Sequence, residues 1–269
     1  MGISVLMSVY RKEQPQYLRE ALESMLNQTR MPDEIVLIKD GPLAEELELV
    51  IKEVSDRYDK LVTYQFKQNV KLGRALAKGV QLCSNELIAR MDSDDIAVPE
   101  RLEWQYDFMQ VHKEIAVCGG WVEEFNDSHS YESIKKMPEQ SKELLRFARY
   151  RNPLNHMTVM FRKEKVLEYG NYEHFPLLED YDLWSRMLTG GEQFYNLQEV
   201  LVHARTNEGI YDRRGGWTYF KCYVQLRKRQ KERGQLSRAE YITALAMSFT
   251  ITMIPGKVRK WIYRYLLRR

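Results

Sequence analysis

The chain has 269 residues, 44% hydrophobic and 12% aromatic, which is enough for one large α/β domain with a small appendage and excludes a disordered or fibrous protein. Its three cysteines, Cys83, Cys118 and Cys222, are scattered without Cys-x-x-Cys spacing, so neither a disulfide framework nor a zinc site is expected, and a reducing compartment is. The net charge of +3 is unevenly spread: fifteen Lys/Arg against two acids from Arg213 onward give +13, leaving −10 on the first 212 residues.

In chain order, "ISVLMSV" is a continuous apolar run of the kind a buried parallel strand shows. No basic region or cleavage site accompanies it, so no signal peptide is expected, and Leu6 stands where a myristoylation motif wants Ser or Thr. "QPQYLREALESMLNQ" puts Tyr17, Leu18, Ala21, Leu22, Met25 and Leu26 on one helical face, with Pro15 suited to the first turn. Strand "DEIVLIKDG", helix "LAEELELVIKEVSDRY", strand "LVTYQF", helix "LGRALAKGVQLC" and strand "ELIARM" follow. Repeated βαβ units predict a mostly parallel, Rossmann-like sheet with right-handed crossovers.

After Asp95 the rhythm changes. A helix near Pro99, a strand "IAVCGGWVEEF", a helix near "PEQSKELLRFAR", a strand "MTVMF" and a helix "LEDYDLWSRML" are expected. Three helices, around 216–233, 237–253 and 257–267, complete the chain, and the break at "IYDRRGGW" divides residues 1–212 from a basic region, 213–269. The longest apolar stretch, 241–254, has 14 residues. A transmembrane helix needs about 20.

In open α/β sheets ligands bind beyond the C-terminal ends of the strands. Asp40 and Asp92 each end an apolar strand, and "MDSDD" sets Asp92, Asp94 and Asp95 within four positions. Like charges so close repel unless something positive sits among them. An EF-hand loop is disfavoured because its sixth position, counted from Asp92, is Ala97 where glycine is needed. An aspartate phosphatase would carry its Asp-x-Asp on the first strand, and this one follows the fourth. Helix capping explains one acid, and a Mg²⁺ or Mn²⁺ site with a substrate diphosphate explains all three.

The ordered set "SVYRKEQPQYLREALESMLNQT", "EIVLIKDG", "NVKLGRALAKGV", "ARMDSDDIAVPERL" and "LLEDYDLWSRML" resembles the family 2 inverting glycosyltransferases of the GT-A fold, from about residue 3 to 205. The nearest flavour is that of bacterial enzymes extending lipid-linked O-antigen or capsule saccharides. The resemblance implies that Ser8, Val9 and Tyr10 wrap base and ribose, that Asp40 bonds the base, and that Met91, Asp92 and Ser93 line the nucleotide. It makes Asp94 the ligand of Mn²⁺ or Mg²⁺, with Asp95 in support. Gly73 either lets the chain approach the nucleotide or starts a helix. Asn69 receives no contact, because "NVKLG" is longer than the family's Asn-x-Gly.

The resemblance also makes Asp180 the base that takes the acceptor's proton, with Glu179 orienting the acceptor and Asp182 a rival base. Trp184 is a sugar platform or a core aromatic. His156 lines the acceptor pocket or satisfies a loop. His203 reaches the metal or diphosphate, as a histidine does in some relatives, and Arg205, Arg213 and Arg214 contact diphosphate or lipid headgroups.

In the basic region, "KVRKWIYRYLLRR" interleaves bases with aromatic and aliphatic residues, the pattern of helices lying on an anionic membrane surface. The acidic body and the lack of a recognition motif argue against nucleic acid. The expectation is a metal-dependent glycosyltransferase at the cytoplasmic face of a membrane, moving a sugar from a nucleotide donor, UDP-sugar above others, to a lipid-linked saccharide. A non-catalytic nucleotide-sugar-binding protein is the rival. A nucleotidyltransferase would want a glycine-rich first loop, and "SVYRKEQP" has none.

Overall fold

The computed structural model describes residues 1–126, 128, 130–206 and 214–265. The first apolar run forms β1 (Ile3–Val9), which pairs in parallel with β2 (Glu34–Lys39) on one side and β4 (Leu87–Met91) on the other. β2 pairs in parallel with β3 (Leu61–Gln65). The crossovers are α1 (Pro15–Leu26), α2 (Glu45–Arg57) and α3 (Leu72–Leu82). Side chains of a strand alternate between faces, so Ile3, Val5, Met7 and Val9 enter the core under α1 and α2, while Leu6 enters the one under α3. With both faces covered, the strand shows no regular polar alternation, and its buried Ser4 donates its hydroxyl to Glu34.

Beyond β4 the sheet becomes mixed. β6 (Ile115–Phe125) and β8 (Met160–Arg162) are antiparallel neighbours, β8 is antiparallel to β4, and β6 runs parallel to a long β9 (Gln193–Arg205). A two-residue β5 (Ile96–Ala97) closes the order β3-β2-β1-β4-β8-β6-β9-β5, and β7 (Tyr131–Lys135) pairs off the path with β6. The short β5 holds the chain that leaves the acidic cluster against the last turns of β9. Helices α4 (Arg101–Val111), α5 (Ser141–Phe147), α6 (Lys163–Glu168) and α7 (Glu179–Thr189) pack around this half. The three cysteines are buried and unpaired.

Three helices end the described chain: α8 (Gly216–Glu232), α9 (Arg238–Met253) and α10 (Gly256–Tyr265). α8 seats Cys222 and Leu226 on Phe175, Leu178 and Tyr181. Its Arg227, 1% exposed, donates to the carbonyls of Arg149 and Tyr150 and to the Tyr181 hydroxyl. Asp182, wholly buried on α7, receives Arg229 of α8 at 3.3 Å and Arg233, which caps that helix, at 3.0 Å, along with Arg186 at 3.1 Å. Several of the bases counted in the basic region therefore hold α8 onto the body of the sheet. The 212/213 boundary drawn from sequence lies outside the described residues, as does Arg213. Among the described residues no helix is long and apolar enough to cross a membrane.

Candidate active site

The parallel register brings the ends of β1, β2 and β4 to one edge, and the acidic cluster emerges there. Asp92, Asp94 and Asp95 each offer an oxygen within 4.8 Å of the others. A cation is already built in beside them: Arg90, 2% exposed on β4, ion-pairs with Asp92. Asp95 accepts the Arg205 amide at 2.8 Å through Oδ1, while its buried Oδ2 has no partner. Burial pushes the Asp94 carboxyl up to about 7, with Asp92 and Glu13 adding repulsion, and burial likewise holds Asp95 well above the usual range. One arginine among three carboxylates leaves net negative charge in a poorly solvated place. Three hard oxygen donors, one of them an orphaned buried oxygen, fit a Mg²⁺ or Mn²⁺ ion.

Along the same edge a cavity of about 520 Å³ lies between the end of β2 and the 67–69 loop, lined by Arg11, Asp40, Gly41, Lys67 and Asn69. Asp40 shapes it. Its Oδ1 accepts the Val70 amide at 2.6 Å and its Oδ2 the Asn69 side chain at 2.7 Å, so the carboxylate fastens the facing loop. At Gly41, φ is +96° and a Cβ would stand 2.9 Å from the Asn69 amide nitrogen, a close approach only glycine allows.

The second acidic group sits at the head of α7, where unpaired amides favour negative charge. Asp180 accepts Asn152 Nδ2 at 2.5 Å and the Tyr181 amide at 2.7 Å; burial raises its carboxyl and these two bonds oppose the rise. Glu179 is pushed up to about 7 by burial, then by Asp180 and, more weakly, by Asp92. The charge of Arg90 acts on both groups, favouring ionisation of Asp94, Asp95, Glu179 and Asp180 alike. Asp180 also lines a second cavity, about 600 Å³, walled by Tyr150–Asn152, α8 and α9.

Several sequence expectations are corrected. Trp184 is no sugar platform: it is 0% exposed and packs on Phe161, Tyr172 and Phe194, because its face of α7 points into the sheet. The Val9 and Met91 side chains are core, so neither side chain can line a nucleotide; Val9 contributes its carbonyl to the Asp40 amide at 2.8 Å, and the Met91 sulfur receives Arg101. Gly73 serves α7: a Cβ there would meet the Glu173 carbonyl at 2.7 Å and Glu179 Cβ at 3.1 Å. Asp182, locked by three arginines, is no base. Arg205 is directed at the protein: it bonds the Asp94 carbonyl at 3.1 Å and Glu20 at 2.5 Å, and lies over the Tyr17 ring.

Other residues stand as follows. Ser8 is part-buried and Tyr10 41% exposed beyond β1. Ser93 donates to Glu13 at 2.5 Å. His156 Nε2 lies 2.9 Å from the Tyr172 hydroxyl, and burial with Arg90 nearby drives its pKa well below 6.5, so it is neutral. His203 sits opposite Ile96 with Nδ1 3.1 Å from Glu123, beside the Tyr131 ring. Arg214 lines the second cavity. Sequence reasoning missed Arg90, Glu13, Asn69 and Asn152. For Arg90 a signal existed, since a lone arginine inside a buried strand demands a charged partner.

Two acidic groups at the carboxyl edge of the sheet, with one cavity at Asp40 and another at Asp180, are the arrangement of a group-transfer enzyme. Residues 4–170 match Glycosyl transferase family 2, and the chain belongs to that family. It is 40% identical to the amylovoran biosynthesis glycosyltransferase AmsE of Erwinia amylovora, over 97% of each chain. It is 34% identical to an Escherichia coli UDP-Gal:α-D-GlcNAc-diphosphoundecaprenol β-1,3-galactosyltransferase, over 99% of this chain and 96% of the relative. Among solved structures, S. aureus TarS (residues 1–349) in complex with UDP-GlcNAc superposes with a TM-score of 0.70 at 18% identity, covering 94% of this chain and 72% of that one. The protein is a glycosyltransferase.

Proposed function

We propose that this glycosyltransferase moves a sugar, with inversion, from a UDP-sugar to a lipid-linked saccharide acceptor in cell-surface polysaccharide synthesis, and that it requires Mn²⁺ or Mg²⁺. The observation that carries this is the pair of acidic groups on which the charge of Arg90 acts, one just after β4 and one at the head of α7, where Asp180 opens on a cavity. UDP as donor and a diphosphate-linked lipid as acceptor are supported by what the galactosyltransferase relative is named for.

The uridine occupies the cavity framed by Asp40 and Asn69, with Tyr10 and Ser8 at its edge. Asp94, assisted by Asp92, holds the metal, which when bound neutralises the charge gathering on the departing diphosphate. Asp180 accepts the proton of the acceptor hydroxyl as that oxygen bonds the anomeric carbon and the carbon–oxygen bond to UDP breaks on the opposite face. Asn152 holds the carboxylate in line, and burial has raised its proton affinity in the direction a base needs. Glu179 orients the acceptor. The exposed apolar and basic residues of α9 and α10 attach the enzyme to the cytoplasmic face of an anionic membrane.

Calorimetric titration with UDP, GDP and CDP, each with Mn²⁺ and with chelator, tests the donor side. UDP binding that needs both Mn²⁺ and an intact Asp94, and so is lost in Asp94→Ala, is expected. No metal-dependent binding of any nucleotide would overturn the reading.

A further inference from the structure

The chain enters α7 through the turn Phe175-Pro176-Leu177-Leu178, in which the Leu178 amide donates to the Phe175 carbonyl at 3.4 Å. Proline at the second position and a φ of +68° at Leu177 are the pattern of a type II turn, whose third position is the usual place of glycine or asparagine. A leucine side chain there crowds its own backbone. Among the described residues three positions other than glycine have positive φ: Lys71, Asn171 and Leu177. Asn171 is of a type that tolerates it, and its side chain bonds the Ala77 carbonyl at 2.9 Å and the Tyr172 amide at 2.7 Å. Leu177 has no such local reason.

Core packing does not supply one either. Phe175 and Leu178 of the same turn are buried with Tyr181, Cys222 and Leu226, whereas Leu177 is 51% exposed and lies in the wall of the cavity that Asp180 also lines. Glycine or asparagine would make this turn with less strain, so what leucine adds is an apolar side chain turned to the cavity. Strain held at such a place points to function. Three peptide units join Leu177 to Asp180, so their Cα atoms are at most about 11 Å apart. A saccharide presenting a hydroxyl to Asp180 therefore comes close to this side chain. A pyranose has a C–H face as well as hydroxyl edges, and binding sites set a few polar groups among apolar ones that supply contact. Resting on the transferase reading above, we propose that Leu177 is an acceptor-contact residue, its side chain packing on the C–H face of the sugar whose hydroxyl Asp180 deprotonates. Substitutions that relax the turn then weaken acceptor binding, which is the opposite of what a packing residue shows.

The test is calorimetry on the full chain saturated with Mn²⁺ and UDP. The probe is a decyl diphosphate bearing α-linked GlcNAc, the acceptor group for which the galactosyltransferase relative is named. Bare decyl diphosphate is the control that lacks the ring. Leu177→Asn and Leu177→Gly should each weaken the glycosylated probe about fivefold to tenfold, as loss of half a leucine's burial does, and leave bare decyl diphosphate unchanged. Leu177→Met, which restores the apolar bulk, should bind within about twofold of the parent protein. The Tm of Leu177→Asn should equal or exceed the parent's, since asparagine suits the turn. Unchanged affinity in Leu177→Asn and Leu177→Gly, equal weakening of both probes, or a lower Tm in Leu177→Asn would each overturn the assignment. So would a parent protein that binds Mn²⁺–UDP but not the glycosylated probe. Mn²⁺–UDP titration of the same samples should give one affinity for parent and variants, and its failure in the parent counts against the transferase reading rather than against Leu177.

Discussion

Asp182→Asn tests whether the acid three residues into α7 fastens the structure or performs chemistry. In the parent protein the buried carboxylate meets guanidinium groups at 3.0, 3.1 and 3.3 Å. Breaking a buried ion pair costs about 3–5 kcal/mol, because the surviving charge stays buried. Here Arg229 and Arg233 are 36% and 26% exposed and can turn to water, whereas Arg186 keeps its bond to the Asn171 carbonyl at 2.7 Å. The cost therefore falls to the lower end, about 3 kcal/mol. For a chain of this size that is a fall in Tm of about 6–10 °C. Thermal denaturation followed by circular dichroism reads the loss directly, and sugar transfer assayed at 20 °C should retain most of its turnover. An unchanged Tm with turnover abolished would refute the reasoning and return Asp182 to the role of base.

Asp180→Asn should lower kcat by about 10²–10⁴ while leaving Mn²⁺–UDP affinity within a factor of two, since it removes a proton acceptor and not a donor contact. Glu179 ionises near 7 in the folded chain against 4.5 ordinarily, so the unfolded chain loses its proton first. Stability should therefore be greatest below the ordinary value and decline as pH rises from 4.5 to about 7, by about 3 kcal/mol, and Glu179→Gln should flatten that slope in a Tm–pH series run in chelator. Trp184→Ala should cost about 3–5 kcal/mol in urea unfolding as a cavity in the core, with KM for the acceptor changed little once measured below the new midpoint.

Sequence periodicity recovered what depends on local pattern. The apolar runs became β1, β2 and β4 with their ends aligned, the Pro15 turn opened α1, and the three C-terminal helices start within about one residue of their expected positions, the expected end of the last, at 267, lying outside the described residues. Both acidic groups were legible because strand ends and helix heads are where a parallel sheet exposes charge. The long β9 was not, since its middle, "NLQE", interrupts the apolar pattern and its pairing with β6 shifts register more than once. The inward contacts of Arg205 were missed, and the choice between the two readings of Trp184 and of Gly73 stayed open, for one reason: each depends on what an element distant in sequence presses against it, and no window along the chain contains that neighbour.

The clamp on the acidic loop also constrains when the site can come into being. Asp95 is held by the amide of Arg205, 110 residues later, and the Arg205 side chain reaches back 185 residues to Glu20. Tyr181, next to Asp180, waits in turn for Arg227. A ribosome that has delivered β1 to β4 has made Asp92 with its partner Arg90, but neither the amide that holds Asp95 nor the helix that carries Asp180, so the nascent chain passes most of its synthesis without a complete site. The site is complete only once α8, which brings Arg227 to Tyr181, has emerged.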